Sequence, residues 1–187
     1  MTISINQLKP GVGLRFNGEF FMVTEYQHVK PGKGGAFVKV KLRNVKTEQV
    51  LDRTFKPGEK LEEAYLEERK LQSLYRSGDA FHFMDATTYE ETVVSAEVVG
   101  DAVKFLQDSL EVTGICSKNE VLKIVLPTFI IAEIRQTEPG FKGDTSKAGT
   151  KPATIDTGTQ IQVPLFINVG DRVKVDTRSG AYVERTK

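Results

Sequence analysis

The chain has 187 residues, with 26 Lys+Arg against 25 Asp+Glu, 39% hydrophobic side chains, one Cys, two His and no Trp. This balance excludes a disordered or collagen-like chain, and no apolar run approaches the ~20 residues of a membrane helix. Cys116 alone can neither close an internal disulfide nor build a thiolate zinc site, so the fold rests on apolar cores, and neither a metal nor a cofactor is expected.

Period-two alternation of β-branched and aromatic residues dominates. In chain order, strands are expected over Val12–Phe16, Phe20–His28, Phe37–Val45, Val50–Phe55, Leu66–Arg76 and Phe81–Asp85. One short helix is expected near Ser95–Leu106, followed by strands over Ser109–Cys116, Val121–Leu126, Thr128–Glu138, Gln160–Ile167, Arg172–Asp176 and Tyr182–Arg185. The fold class is therefore all-β. Twelve strands can make one sandwich or three small barrels. The turn signals Asn17-Gly18, Ser77-Gly78, Lys118-Asn119 and Ser179-Gly180 recur in similar-sized blocks, which favours three barrels over residues 1–64, 65–127 and 128–187. These blocks carry 11 basic and 7 acidic, 6 and 11, and 9 and 7 side chains, so the first and last are positive and the middle is negative. Such segregation fits outer blocks that face a polyanion, although solvated charged faces give the same signature.

Between two strong strand patterns lies Lys30-Pro31-Gly32-Lys33-Gly34-Gly35-Ala36, which reads as a hairpin with a glycine-rich tip. Pro31 fixes φ, while Gly32, Gly34 and Gly35 lack Cβ and let the backbone approach another surface closely, with Lys33 at the tip. This is a compact cation on a thin stalk; a solvated turn that holds lysines fits the spacing equally well. It is not a phosphate-binding P-loop, because GxxxxGK[ST] is absent. Downstream, Val38, Val40 and Leu42 alternate with Lys39, Lys41 and Arg43, so three cations share the face opposite the core and could bind phosphates without sequence preference. Exposed lysines on a strand also serve only to keep an edge soluble.

No catalytic constellation stands out. HExxH and GxSxG are absent, Cys116 ends an apolar strand, His82 sits between Phe81 and Phe83, and the neighbours Glu67-Glu68 and Glu90-Glu91 point to opposite faces if they lie in strands. The polar stretch Gly140–Pro152 is too long for a tight hairpin, and its Lys147 and Lys151 would suit an RNA backbone. The last hairpin offers Arg178, Tyr182 and Arg185 for phosphate contact or stacking, or as plain surface.

The run Lys151-x-Ala153-x4-Gly158-x2-Ile161-x-Val163-Pro164-x2-Ile167-x2-Gly170 resembles the last-domain signature of the bacterial elongation factor P family. Independent matches are Lys30-Pro31-Gly32-Lys33-Gly34, Phe81-His82-Phe83-Met84, Pro139-Gly140-x-Lys142-Gly143-Asp144-Thr145 and Val175-Asp176-Thr177-Arg178-Ser179-Gly180, so the resemblance runs from end to end. It implies an SH3-like, KOW-type barrel followed by two OB-fold barrels in an L-shaped, tRNA-like arrangement. It further implies a translation factor, not an enzyme, that binds the ribosome between the peptidyl and exit sites and relieves stalls on consecutive prolines. Lys33 then falls at the position that reaches the acceptor end of the peptidyl tRNA, with Pro31, Gly32, Gly34 and Gly35 as its stalk. In many family members this position is covalently extended, which implies a modifying enzyme as a further partner. Gly143, Asp144 and Thr145 match the loop that faces messenger RNA at the exit-site codon, and Tyr182 and Arg185 match carboxy-terminal positions implicated in function. The other implied partner is ribosomal RNA. The implied particle is a monomer with no membrane role, and the amino terminus MTISINQLKP, with neither a basic nor an apolar leader segment, puts the expected location in the cytoplasm.

Three alternatives carry different expectations. A superfamily paralogue would replace the Lys33 loop. A free RNA chaperone built on OB barrels would show several exposed aromatics per face, against which stand the missing Trp and the core-like alternation of most Phe residues. A hydrolase would need Cys116 to be reactive.

Overall fold

The computed structural model describes residues 2–30, 36–139 and 149–186. Their strands are β1 (Thr2–Ser4), β2 (Gly13–Phe16), β3 (Glu19–Val29), β4 (Phe37–Asn44), β5 (Val50–Phe55), β6 (Lys60–Ala64), β7 (Glu67–Ser77), β8 (Ala80–Asp85), β9 (Glu91–Ser95), β10 (Glu111–Ser117), β11 (Glu120–Val125), β12 (Phe129–Thr137), β13 (Thr150–Ile155), β14 (Gln160–Pro164), β15 (Arg172–Asp176) and β16 (Ala181–Thr186). The all-β expectation holds, and each of the twelve expected strands overlaps an observed one. The expected helix does not form as one piece: a single α-turn, α1 (Ala96–Val99), gives way to a 3-10 segment, Gly100–Phe105. Gly100 has φ +55, which ends the α-turn after four residues. Ser109, expected in a strand, has φ +63, so β10 starts two residues later.

The strands form three antiparallel sheets with orders β1-β6-β2-β3-β4-β5, β11-β10-β7-β8-β9 and β14-β13-β12-β15-β16. The last two share one connectivity: the first strand is central, two strands follow on one side, and a returning hairpin pairs on the other. That is the wiring of an OB barrel. In both, the central strand carries a bulge, between Ser73 and Tyr75 in β7 and between Ile134 and Gln136 in β12. An extra residue bends the strand and lets its two halves serve different neighbours, and β12 pairs with β15 through Phe129–Glu133 and with β13 from Ile134 onward.

By compactness the chain divides into two units, Met1–Arg69 with Gly114–Lys123, and Lys70–Thr113 with Ile124–Lys187. The core of the first contains Leu14, Phe21, Val23, Val38, Val40, Leu42 and Phe55. Its β2–β3 hairpin turns through Asn17 and Gly18, both at positive φ, as the Asn-Gly signal requires. Gly13 permits a close approach of β2 to β6: a Cβ there would overlap the Ala64 carbonyl oxygen and lie 2.8 Å from Leu66 Cγ. The core of the second unit's carboxy-terminal sheet contains Ile130, Ile134, Ile155, Val163, Ile167, Val173 and Val175, together with Phe105 from the 3-10 segment.

Candidate nucleic-acid interface

The long β3–β4 hairpin is paired from Phe21 with Asn44 out to Val29 with Phe37, so residues 30–36 connect its far end. Pro31, Gly32, Lys33, Gly34 and Gly35 lie in that connection, outside the described residues. On β4 the alternation is as read: Val38, Val40 and Leu42 are buried, Lys39 and Arg43 are exposed and Lys41 is half-buried. The row is not a bare line of charge, however. Lys41 faces Glu25 on β3 and Asp52 on β5, and its Nζ donates to Glu25 Oε1 at 2.9 Å. That hydrogen bond and then the Glu25 charge raise its pKa against the opposing effect of burial, with the Asp52 charge adding least. Arg43 lies 3.7 Å from Glu48, whose carboxylate also binds Lys123 Nζ. Lys39 has no ion pair among the described residues and sits 6.0 Å from the Phe37 ring centroid.

On the carboxy-terminal sheet one expectation is overturned. Lys151 is 6% exposed, and its Nζ donates to the Glu138 carbonyl at 2.6 Å, so it is a buried internal donor and not a phosphate contact. The reason is register: Lys151, Ala153 and Ile155 alternate inward on β13, opposite Val163 and Ile161 for the first two. Arg178 is exposed but engaged by Asp176 in its own turn, through Nε at 3.2 Å and Nη2 at 2.7 Å. That side-chain bond, reinforced by the Arg178 backbone N–H, holds the Asp176 carboxyl down at about 2. Tyr182 is half-buried against the core, and Arg185 lies 3.7 Å from Asp171 and 5.9 Å from the Phe166 ring centroid. Gly143, Asp144, Thr145 and Lys147 fall outside the described residues.

Two aromatics depart from the core-like reading of Phe: Phe129 and Phe166 are exposed, with Lys174 Nζ 4.9 Å from the Phe129 centroid. Phe129 alternates with Ile131 on the solvent side of β12, a signal legible in the sequence, whereas Phe166, inside the expected strand Gln160–Ile167, lies in a turn beyond the end of β14 at Pro164. His82 is tied to Glu91 at 2.5 Å and stacked on Tyr75, with ring centroids 4.2 Å apart, and the Tyr75 hydroxyl donates to the same carboxylate. The bond to His82 contributes most to lowering the Glu91 pKa, while burial and then the Glu91 charge raise that of Tyr75. Cys116 is buried. Among the described residues no three His, Cys, Asp or Glu side chains come together as a metal site, and no helix is long and apolar enough to cross a membrane.

A six-stranded sheet followed by two sheets of OB connectivity, with exposed cations on the first and last, defines a modular all-β protein. Comparison with known families is specific. Residues 4–61 match the Elongation factor P (EF-P) KOW-like domain, residues 66–124 the Elongation factor P (EF-P) OB domain, and residues 130–185 Elongation factor P, C-terminal. Elongation factor P from Thermoanaerobacter sp. (strain X514) is 48% identical over 183 residues, which is 98% of this chain and 99% of that one. Elongation factor P from Gloeothece citriformis (strain PCC 7424) matches at the same identity and coverage. Among solved structures, a translation initiation factor eif-5a family protein from Naegleria fowleri aligns with a TM-score of 0.53 at 13% identity, over 67% of this chain and 98% of that one, a likeness of fold. The chain belongs to the bacterial elongation factor P family and is a translation elongation factor.

Proposed function

We propose that the protein binds the ribosome between the peptidyl and exit sites and speeds peptide-bond formation at runs of proline by positioning the acceptor end of the peptidyl tRNA. What supports this reading is the end-to-end family match, together with the position of Lys33 in the sequence between β3 and β4. In this reading Lys33 reaches the acceptor end on a stalk of Pro31, Gly32, Gly34 and Gly35. Lys39, Lys41, Arg43, Lys147, Arg178, Tyr182 and Arg185 meet ribosomal RNA, and Gly143, Asp144 and Thr145 meet messenger RNA at the exit-site codon. A modifying enzyme that extends Lys33 covalently is a further partner; the working form is an unliganded cytoplasmic monomer that performs no bond chemistry of its own.

The physics is positional. Proline is a rigid donor and a poor nucleophile, so a peptidyl-prolyl tRNA sits misaligned, and holding its end in a reactive pose lowers the entropic part of the barrier. A tenfold gain in rate requires only about 1.4 kcal/mol. The test is reconstituted translation of a polyproline reporter. Lys33→Ala should abolish rescue while ribosome affinity stays within a few-fold, because the phosphate contacts lie elsewhere. A wild-type chain that does not relieve the stall, or a Lys33→Ala variant that binds weakly yet rescues fully at saturation, overturns the reading.

A further inference from the structure

Between β14 and β15 the chain makes a hydrogen-bonded double turn. Ile167 is its fully buried anchor, and its N–H donates to the Pro164 carbonyl at 3.1 Å. The Asn168 N–H donates to Asp171 Oδ2 at 2.8 Å, the Asp171 N–H returns to the Asn168 carbonyl at 3.1 Å, and Gly170 takes φ +87 to close the turn. On either side of the anchor this turn holds two large apolar side chains out to solvent, Phe166 at 59% and Val169 at 60% exposure. The Arg185 guanidinium stands 5.9 Å from the Phe166 centroid and is itself steadied by Asp171. Arg172, exposed and without an ion pair among the described residues, follows directly.

One exposed apolar side chain is ordinary on a protein surface, but here two stand on one hydrogen-bonded turn next to guanidiniums. The flanking guanidiniums favour a polyanion, and the planar ring suits a planar partner. Base-on-aromatic stacking with nearby arginine is a general means of holding single-stranded nucleic acid. We propose that the Leu165–Gly170 turn is a stacking platform for an unpaired RNA base, with Phe166 as the stacking face and Arg185 beside it for the adjoining phosphate. The site is separate from the Lys33 hairpin, and the proposal depends on the ribosomal reading only for where that base resides.

Because the chain has no Trp, Phe166→Trp places one reporter at the proposed contact. The full-length variant is titrated with a short single-stranded oligoadenylate, with a blunt RNA duplex, and with ribosomes, while wild-type ribosome binding and polyproline rescue are measured in parallel. Stacking predicts that the single strand quenches the Trp emission and the duplex does not. It also predicts that Phe166→Leu, which keeps apolar bulk without a π face, weakens single-strand binding at least about fivefold, the lower end of one stacked base. Equal quenching by duplex and single strand, no response to either, or a blue shift on ribosomes without quenching, which marks an apolar protein pocket, overturns the proposal. The two readings fail separately. Wild-type rescue without Trp quenching removes the platform alone, whereas oligoadenylate quenching without ribosome binding removes the ribosomal reading alone.

Discussion

Phe105→Ala tests how the second compact unit is held together. Phe105 ends the 3-10 segment that follows the β7–β9 strands, yet its ring is 7% exposed and packs into the core built by β12–β15. Gly180, at φ +69, lies against the ring, where a Cβ would stand 3.4 Å from Cζ. Polar bonds frame the same joint. The Thr157 and Thr159 hydroxyls donate to the Lys104 carbonyl at 2.7 and 2.5 Å, and Gln107 Nε2 donates to the Ile131 carbonyl at 3.0 Å and to Asp156 Oδ2 at 2.9 Å. A buried Phe removes roughly 150–250 Å² from water, which is about 4–6 kcal/mol at ~25 cal/mol/Å². Alanine keeps part of that area buried while the cavity adds a cost of its own, and the expected loss is about 3–5 kcal/mol. Since the ring and its pocket belong to different barrels, the loss falls on their coupling, and one unfolding transition should become two. Calorimetry and urea denaturation read this directly, with Phe105→Leu, expected to cost under about 1.5 kcal/mol, as control. A loss below about 1 kcal/mol with a single transition would refute the assignment of the ring to that core.

Two further outcomes follow from local geometry. Asp176 titrates at about 2 when folded, below its ordinary 3.8, so its pair with Arg178 adds stability above the ordinary value that is lost as pH falls through about 2. Arg178→Ala should move the Asp176 pKa up toward 3.8 by NMR titration of the carboxylate, and a value still near 2 would show that the backbone N–H groups alone hold it. Gly13→Ala should destabilise by about 1–3 kcal/mol in urea, because the new methyl meets backbone and not a flexible side-chain end; a wild-type midpoint would mean that β2 and β6 spread freely.

The strands that could be read from the sequence are those with repeated inward apolar positions, such as β4 and β12, where every second residue is buried over much of the length. Those passed over carry too few. β1 has a single inward residue, Ile3, and β6 has Leu61 and Ala64 three apart. In β9 only Val94 is buried. β13 was hidden by chemistry: Pro152 argues against a strand, and Lys151 looks like a surface cation. It becomes an inward residue because the Glu138 carbonyl supplies an internal acceptor, a fact of tertiary position that no local pattern encodes. The cation row of β4 was legible for the same reason as the strand itself, but its carboxylate neighbours come from β3 and β5, and cross-strand register is fixed only in the fold.

That register changes what the row can do. Lys41 and Arg43 are already answered by Glu25 and Glu48, so a phosphate that meets them must exchange partners and cannot simply add one. Exposed ion pairs contribute little to stability and break readily, so the exchange is open, and meanwhile the carboxylates hold two long side chains extended over the sheet. What the pairs reduce is the number of condensed counterions that each cation releases on binding, and with it the salt dependence that bare lysines would give. Lys151 stands at the other extreme, where leaving the Glu138 carbonyl would unmake a buried hydrogen bond. Between these limits, Lys39 on the first barrel and Arg172 on the last are exposed and unopposed among the described residues. In the proposed reading, long-range attraction to RNA draws more on cations such as these than on the aligned row that the sequence displays first.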